Sequence, residues 1–426
     1  MGHNIGMRIA LLCVGLLGCE APQSLKASST QEDPVPVVVP PAATPPVGSH
    51  ELPDANTDFV AWLFDDTRMH QVDLTMELAD AALLFDEPFE KVPGTAVIDG
   101  YDAREIGIRL RGKIGSFQEI DEKPKFKLDF NFINTEASFF GLKALALNNS
   151  VADCSYTREK LAYAVYAEAG LVVPRVTWAN VTLNGEDYGL YQIVEPPDRQ
   201  FLKRVMPNPD GNLYDAKYLW DGGWDTTMLD FDETVVQMIL EEGVDVGNAD
   251  VIAVAQAAHD GEQAGEWLAH TDPLIDWYSV QGMFAAEVFT DHWDGYAVGT
   301  NNYRVWIDPD TGLMELLPWD LDNSFNPLGW LAWHDWENPD SVLSAGCFAD
   351  EACKSDLLDR LGSFLDTVEV IDWDAKLDDW YAITADAAAV DARDSCGPNT
   401  VLNNQWEIRN WMNDRPAELR AEWNLQ

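Results

Sequence analysis

The period at which apolar residues recur changes along this chain, and that change limits the fold more than any single motif does. Early on the period is two. Val72-Asp73-Leu74-Thr75-Met76 alternates, and so does Glu105 to Arg111, with Ile106, Ile108 and Leu110 on one face and Arg109 and Arg111 on the other. Phe126, Leu128 and Phe130 mark a further strand, with Lys125, Lys127 and Asp129 opposite. Gly112 and Gly115 punctuate the connection between these two strands, which predicts an antiparallel pair. Val176 to Leu183, Asn184-Gly185 and Tyr188 to Val194 predict a hairpin. One helix interrupts them, over about Thr157 to Ala169, with Leu161, Ala164, Val165 and Glu168 on one face and Gly170 to stop it. Residues 230 to 290 are mostly helical in pattern, with Trp277, Val280, Phe284 and Val288 near helical spacing. Strands are expected at Asn302 to Ile307 and Met314 to Pro318, and residues 355 to 425 read as helical again. A sheet-rich first lobe and a helix-rich second lobe make an α+β fold with a cleft between.

The folded part starts near Phe59, and what precedes it reads differently. Arg8 and the apolar stretch Ile9 to Leu17 resemble the start of an export signal, too short to anchor in a bilayer by itself. Leu16-Leu17-Gly18-Cys19 then resembles a lipobox, so residues 1–18 are expected to be a lipoprotein signal peptide and Cys19 to carry lipid. Glu20, rather than Asp, follows Cys19 and favours the outer membrane or cell surface. Residues 19–54, with Pro34, Pro36, Pro40, Pro41, Pro45 and Pro46, read as an extended tether. The domain proper is placed at 55–426, its lobes dividing at about residue 200.

Export would make the remaining cysteines an oxidised set. Cys347 and Cys353 are close enough to pair across Phe348 to Ala352, which leaves Cys154 for Cys396. A zinc site is the alternative, weakened by the spacing and the lack of nearby His. The formal net charge is -46, from 73 acidic and 27 basic residues, which argues against nucleic acid as a partner. Such acidity suits a solvated surface, or in part divalent cations. The 17 Trp suit core packing better than sugar stacking.

The densest polar constellation is His292-Trp293-Asp294-Gly295, then Asn301-Asn302-Tyr303, then Trp319-Asp320-Leu321-Asp322. Phosphoryl transfer needs a carboxylate to take or orient a hydroxyl proton, and an amide oxygen with a further carboxylate to hold metal against phosphates. Asp294, Asn302 and Asp320 supply these groups in order. Residues of these types also cap and turn loops.

These segments, in order and spacing, resemble the CotH kinases across roughly residues 60–330. The resemblance is carried by Gly107-Ile108-Arg109-Leu110-Arg111-Gly112, Lys123 to Phe130, Gly141-Leu142-Lys143 and Arg158-Glu159-Lys160-Leu161-Ala162. It continues through Asn184-Gly185 to Gly189-Leu190-Tyr191 and Glu195, then Gly211-Asn212-Leu213-Tyr214, Asn302-Tyr303 and Pro318-Trp319-Asp320-Leu321-Asp322. The resemblance implies a protein-kinase-like two-lobed fold that transfers the γ-phosphoryl group of ATP, with Mg²⁺ or Mn²⁺, to Ser or Thr of secreted or envelope proteins. Asp294 would match the catalytic aspartate. Asn302 and Asp320 would match the metal ligands, with Asp322 a second candidate. A lysine of the Lys123 to Phe130 strand would meet the phosphates. Lys127 is preferred, while Lys125 and Lys123 stay open. Glu159 comes first for the glutamate that positions this lysine, with Glu168 as the other choice. Arg111 and Gly112 fall where a phosphate-covering turn would lie. There the chain departs from the family, with Lys113-Ile114-Gly115-Ser116 in place of a small polar run.

Two other readings compete with an active kinase. One keeps the fold without catalysis, as a surface module binding metal, glycan or envelope protein. The other is a metal-dependent hydrolase built on Asp291, Asp294, Asp320 and Asp322, against which the presence of only 7 His counts.

Overall fold

A computed structural model describes residues 58–425, apart from 114–115, 217–218, 221–225, 233–236, 326–334, 392 and 394–395. The expected signal segment 1–18, the tether to residue 54 and Cys19 lie outside the described residues. From Leu52 onward the chain forms one compact unit.

Its first half is a closed barrel of seven strands: β1 (Met69–Thr75), β2 (Val92–Ile98), β3 (Tyr101–Arg111), β4 (Lys125–Asp129), β5 (Ala144–Asn148), β6 (Val176–Leu183) and β7 (Glu186–Val194). The order around the barrel is β1-β2-β3-β4-β5-β7-β6. Only β1 and β6 run parallel, joining the first strand to a late one and closing the sheet. The period-two pattern explains the barrel. Val72, Leu74, Ile106, Ile108, Leu110, Phe126, Leu128, Leu147, Val181 and Ile193 are all fully buried in one apolar filling. The charged alternates of β3 and β4 therefore face outward. The expected β3–β4 pairing forms, with Arg109 opposite Lys127 and Arg111 opposite Lys125. The β6–β7 turn is Asn184-Gly185, both at positive φ (53° and 81°), as a two-residue turn of this type requires.

Three helices accompany the barrel: α1 (Phe59–Leu63), α2 (Leu78–Asp86) and α3 (Arg158–Glu168). In α3 the structure departs from the sequence pattern. The apolar stripe predicts a half-exposed helix, yet Arg158 to Tyr163 are all buried. The reason is its position: α3 lies between the barrel and the helical core, so both faces are covered. Glu159, on the side that periodicity reads as polar, is buried, whereas Glu168 is partly exposed.

The second half holds α4 (Arg199–Val205), β8 (Asn212–Asp215), β9 (Leu219–Trp220), β10 (Thr226–Thr227) and β11 (Ile239–Glu242). Then come α5 (Ala249–Ala264), α6 (Trp267–Thr271), α7 (Trp277–Thr290), α8 (Tyr296–Gly299), β12 (Tyr303–Ile307) and β13 (Met314–Pro318). After a 3-10 turn at Leu321–Asn323 follow α9 (Val342–Ala349), α10 (Glu351–Glu369), α11 (Trp373–Val390) and α12 (Pro398–Trp423). β11-β8-β12-β13 form one sheet and β9-β10 a small hairpin. α7 is the central element. Val280, Met283, Phe284 and Phe289 are buried in a core shared with α3, α10, α11 and α12. The chain is thus α+β, with a strand-rich and a helix-rich lobe.

Cys154–Cys396 and Cys347–Cys353 are disulfides, which removes the zinc alternative for these thiols. The first spans 242 residues and ties the loop before α3 to the loop before α12. Chain-entropy arguments assign a closure of that length roughly 5 kcal/mol. Beside it, the Asp391 side chain is fully buried against the barrel. Its Oδ2 accepts from Lys123 Nζ at 2.6 Å, from the Leu190 N–H at 2.9 Å and from the Tyr156 hydroxyl at 3.4 Å. Gly189, at φ +83°, makes room, because a Cβ there would run into the Asp391 carboxylate. Arg393 stacks 3.8 Å from the Tyr188 ring and donates to the carbonyls of Asp121 and Asp187. The segment after α11 therefore latches the helical lobe to the barrel.

Removing this carboxylate by Asp391→Ala strips Lys123 of a buried partner and is expected to cost roughly 3–5 kcal/mol in denaturant unfolding. Asp378→Ala, at an exposed pair with Arg409, should cost under about 1 kcal/mol. Equal costs for the two would show that the latch does not hold the lobes.

Candidate active site

Three loops of the helical lobe and the outer face of β3–β4 meet at one place. β4 supplies Lys125, whose side chain is only 2% exposed. Its Nζ lies 2.7 Å from Asp322 Oδ2 and 3.3 Å from Asp320 Oδ1. A basic group of the barrel thus faces two acids from the turn after β13. Burial works to strip the Lys125 proton, but Asp320, Asp322 and Glu159 outweigh it and hold the ammonium above the ordinary lysine range. Burial likewise works to raise Asp320, yet Lys125 and Arg111 keep it below the usual carboxylate range. Asp322 is raised, by burial and then by Asp320.

Asp294 sits in the turn between α7 and α8. Three amides aim at it: Asn302 Nδ2 at 2.9 Å and Asn323 Nδ2 at 3.2 Å on Oδ2, and Asn301 Nδ2 at 3.2 Å on Oδ1. Burial, with the charges of Asp320 and Asp322, nonetheless pushes its carboxyl up to about 7. A carboxyl poised there can exchange a proton near neutral pH. His292, just before it, is pushed down to about 4 by burial, so it is neutral. Its Nδ1 lies 3.4 Å from the Tyr166 hydroxyl. The His-Trp-Asp order therefore places a neutral ring beside an acid and does not make an ion pair.

The backbone of these loops is strained. Asp291, Thr300, Asn302, Asp320 and Phe325 all have φ between 48° and 59°. Asn and Asp tolerate this region, whereas Thr and Phe pay for it in steric energy. Such residues persist only where the surrounding structure holds them. Here Asp320 N–H donates to the buried Tyr163 hydroxyl of α3 at 3.1 Å, and Trp319 N–H donates to the Asn302 carbonyl at 3.1 Å.

Glu159, first choice for the glutamate that positions the lysine, is at the centre but makes no ion pair with a lysine among the described residues. Its Oε2 accepts from Asn148 Nδ2 at 2.6 Å, and Asn148 Oδ1 accepts from Arg111 at 3.0 Å. Burial, reinforced by Asp320 and Asp322, pushes Glu159 up to about 8. Asn148 is thus a relay between the Arg111 and Glu159 side chains. The Arg111 guanidinium also lies 5.2 Å from the Trp319 ring, and Arg304 lies 5.4 Å from it.

Lys127, the preferred lysine, makes no ion pair with Asp320 or Asp322 among the described residues. Lys127 shares the outer face of β4 with Lys125, but two residues along a strand amount to about 6.6 Å. Its Nζ lies 3.9 Å from Asp129, next to Arg109. Lys123 is not at the centre either. It is buried against Tyr156 and Tyr191 and paired with Asp391. Gly112, at φ +94°, packs closely on the backbone of Ser116, and Ile114 and Gly115 of that turn lie outside the described residues. Asn148 and Tyr163 went unread, because a polar residue ending a buried strand and a tyrosine inside a helix carry no distinctive pattern. Asn323 adjoins the acidic motif and could have been read as part of it.

The donor set suits a hard divalent cation: the carboxylates of Asp320 and Asp322 and the amide oxygen of Asn302. Lys125 engages only one oxygen of each carboxylate. Asp320 Oδ2 and Asp322 Oδ1 accept no hydrogen bond among the described residues. No cluster of three or more His, Cys, Asp or Glu forms a self-contained metal cage among those residues. Mg²⁺ at phosphate-handling sites needs only one or two carboxylates besides phosphate oxygens.

A family model described as CotH kinase protein matches residues 108–419. The match starts inside β3 and ends inside α12, so it takes in every residue of the centre and the latch. The chain is also 28% identical over 195 residues to the inner spore coat protein H of Bacillus subtilis (strain 168). That alignment covers 43% of this chain and 51% of the relative, so it spans about half of that protein's length. With well over half of its residues inside the family match, the chain belongs to the CotH kinase protein family.

Proposed function

We propose that this chain is an exported protein kinase that transfers the γ-phosphoryl group of ATP to a Ser or Thr hydroxyl of secreted or envelope proteins. The observation that carries the reading is the bridge from Lys125 of the barrel to Asp320 and Asp322 of the helical lobe, with Asp294 and Asn302 beside it. In the reaction the hydroxyl oxygen bonds to the γ-phosphorus, the bond to the β–γ bridging oxygen breaks, and ADP leaves. Asp294 takes the hydroxyl proton. Asn301, Asn302 and Asn323 hold its carboxylate in one orientation, and orientation of this kind is what such a reaction mainly requires. Lys125 is the cation for the phosphates. Asp320, Asp322 and Asn302 would hold Mg²⁺ or Mn²⁺, which would neutralise charge on the phosphate oxygens.

The two disulfides suit an oxidising compartment. The curated relative is a spore coat protein, which favours a surface location for this chain too. Because Leu16-Leu17-Gly18-Cys19 resembles a lipobox, we place the protein on a membrane.

With ATP, Mg²⁺ or Mn²⁺ and a protein acceptor, Asp294→Asn is expected to lower kcat by about 10²–10⁴ and Asp320→Ala to abolish turnover. Full turnover in both variants would remove this site from the reaction. Lys125→Met should lose nucleotide binding by calorimetry, whereas Lys127→Met should change it by less than about threefold; the reverse order would restore Lys127 to the phosphate role. Because Asp294 must be ionised to accept a proton, kcat/KM should rise with pH through about 7 and level off above it. A profile flat from pH 5 to 8 would mean that Asp294 is not the proton acceptor.

A further inference from the structure

Glu287 belongs to α7, seven residues before Asp294, and its side chain is fully buried. It grips the turn that carries Asp294 from two directions. Its backbone carbonyl accepts the N–H of Asp291 and, at 3.0 Å, that of His292. Its carboxylate reaches past the turn, where Oε1 accepts the Tyr296 N–H and Oε2 the Ala297 N–H, each at 2.8 Å. These are the first two amides of α8, a four-residue helix whose own N-cap position is Gly295 and offers no side-chain acceptor. Asp294 lies between the two grips. Gly295 lets the carboxylate in, since a Cβ there would sit 2.6 Å from Glu287 Oε1 and 3.0 Å from His292 Nδ1.

The energetics single this residue out. Among the described residues no cation pairs with Glu287. A buried carboxylate without a cation is costly, and burial pushes this one up to about 8 despite its two N–H donors. An apolar side chain would fill the same space more cheaply but would leave two buried amides without acceptors and the turn without its second anchor. We infer that Glu287 is a positioning residue that fixes the Asp291–Ala297 turn, and so sets the orientation of Asp294 toward the hydroxyl it deprotonates. The inference rests on the reading of Asp294 as proton acceptor. Glu287 itself touches neither substrate nor nucleotide.

Glu287→Leu and Glu287→Gln in the full chain test this, with amide hydrogen exchange and steady-state kinetics measured side by side. Leu keeps the volume and removes both acceptors, whereas Gln keeps one. For Leu, the amides of 296 and 297 should exchange about tenfold faster or more, kcat should fall by about tenfold to a hundredfold, and KM for ATP should move less than about twofold. Gln should fall between Leu and the parent chain on both readouts. Unchanged exchange and unchanged kcat in Glu287→Leu would overturn the inference. So would faster exchange spread over the whole chain with kcat and KM worsening together, because that pattern belongs to a general loss of structure. Absence of turnover in the parent chain would defeat the kinase reading instead, and the exchange comparison would still decide whether Glu287 grips the turn.

Discussion

At the centre of this protein the lobes meet through the buried ammonium of Lys125. Lys125 is anchored in β4 and neutralised by two aspartates from the turn after β13, so the barrel and the helical lobe share a charge that neither could bury alone. That shared charge determines what its surroundings must supply. Four carboxyls crowd this region, namely Asp294, Asp320, Asp322 and Glu159, and their mutual repulsion would open it without a cation between the lobes. Glu159 responds by taking a proton, and Asp294 by gathering three amides. Asn148 then carries the Arg111 side chain to Glu159, so α3 and the end of β3 are held to the same centre.

Such a centre destabilises the fold that contains it. Glu159, Asp294 and Glu287 have carboxyls raised to about 8, 7 and 8, above the values near 4 expected in an unfolded chain. A group raised in this way binds its proton more tightly when folded. Its contribution is therefore full in acid and is lost as pH rises through the folded value, close to neutrality. The strained φ values of Thr300 and Phe325 add to the cost. What offsets it lies away from this centre: the barrel filling, the burial of α7 from Val280 to Thr290, the latch at Asp391 and the long closure through Cys154–Cys396. The disulfide and the latch join the same two lobes that the charges at the centre would push apart.

Much of this was legible in the sequence because it depends on local pattern. Alternation in Glu105 to Arg111 and in Lys125 to Phe130 is the barrel wall itself, and Asn184-Gly185 is its turn. The cysteine pairing followed from proximity and remainder. Asp294, Asn302, Asp320 and Asp322 could be named because each flanks an apolar element that holds it. What stayed hidden depends on three-dimensional closure. The parallel β1–β6 contact joins segments far apart in the chain, pairing Met69 with Trp178. The burial of α3 on both faces reverses what its stripe implies. Which of Lys123, Lys125 and Lys127 faces Asp320 and Asp322 depends on where β4 passes the opposite lobe, and strand alternation cannot tell one same-face neighbour from the next. Glu287 falls in an apolar helix run, where a single acid reads as a surface position.

The same closure bears on how a chain of net charge -46 could admit an anionic nucleotide. Long-range field is not the answer, since it is repulsive and is screened within about 8–10 Å at ordinary salt. The local field is different. Arg109 and Lys127 stand opposite each other across β3–β4, with Arg111 on the same face, an arrangement that like charges disfavour. Burial lowers both Arg109 and Lys127 from their ordinary values, and the neighbouring Arg111 lowers them further. Arg304, from β12 of the other lobe, lies 5.4 Å from the Trp319 ring, which Arg111 of the barrel approaches to 5.2 Å. Asp129 and Glu241 offset part of that cost for Arg109 and Lys127, and Asp215 and Glu241 pair with Arg304. The outer face of β3–β4 therefore gathers cations next to the only ammonium that bridges the lobes through two aspartates among the described residues.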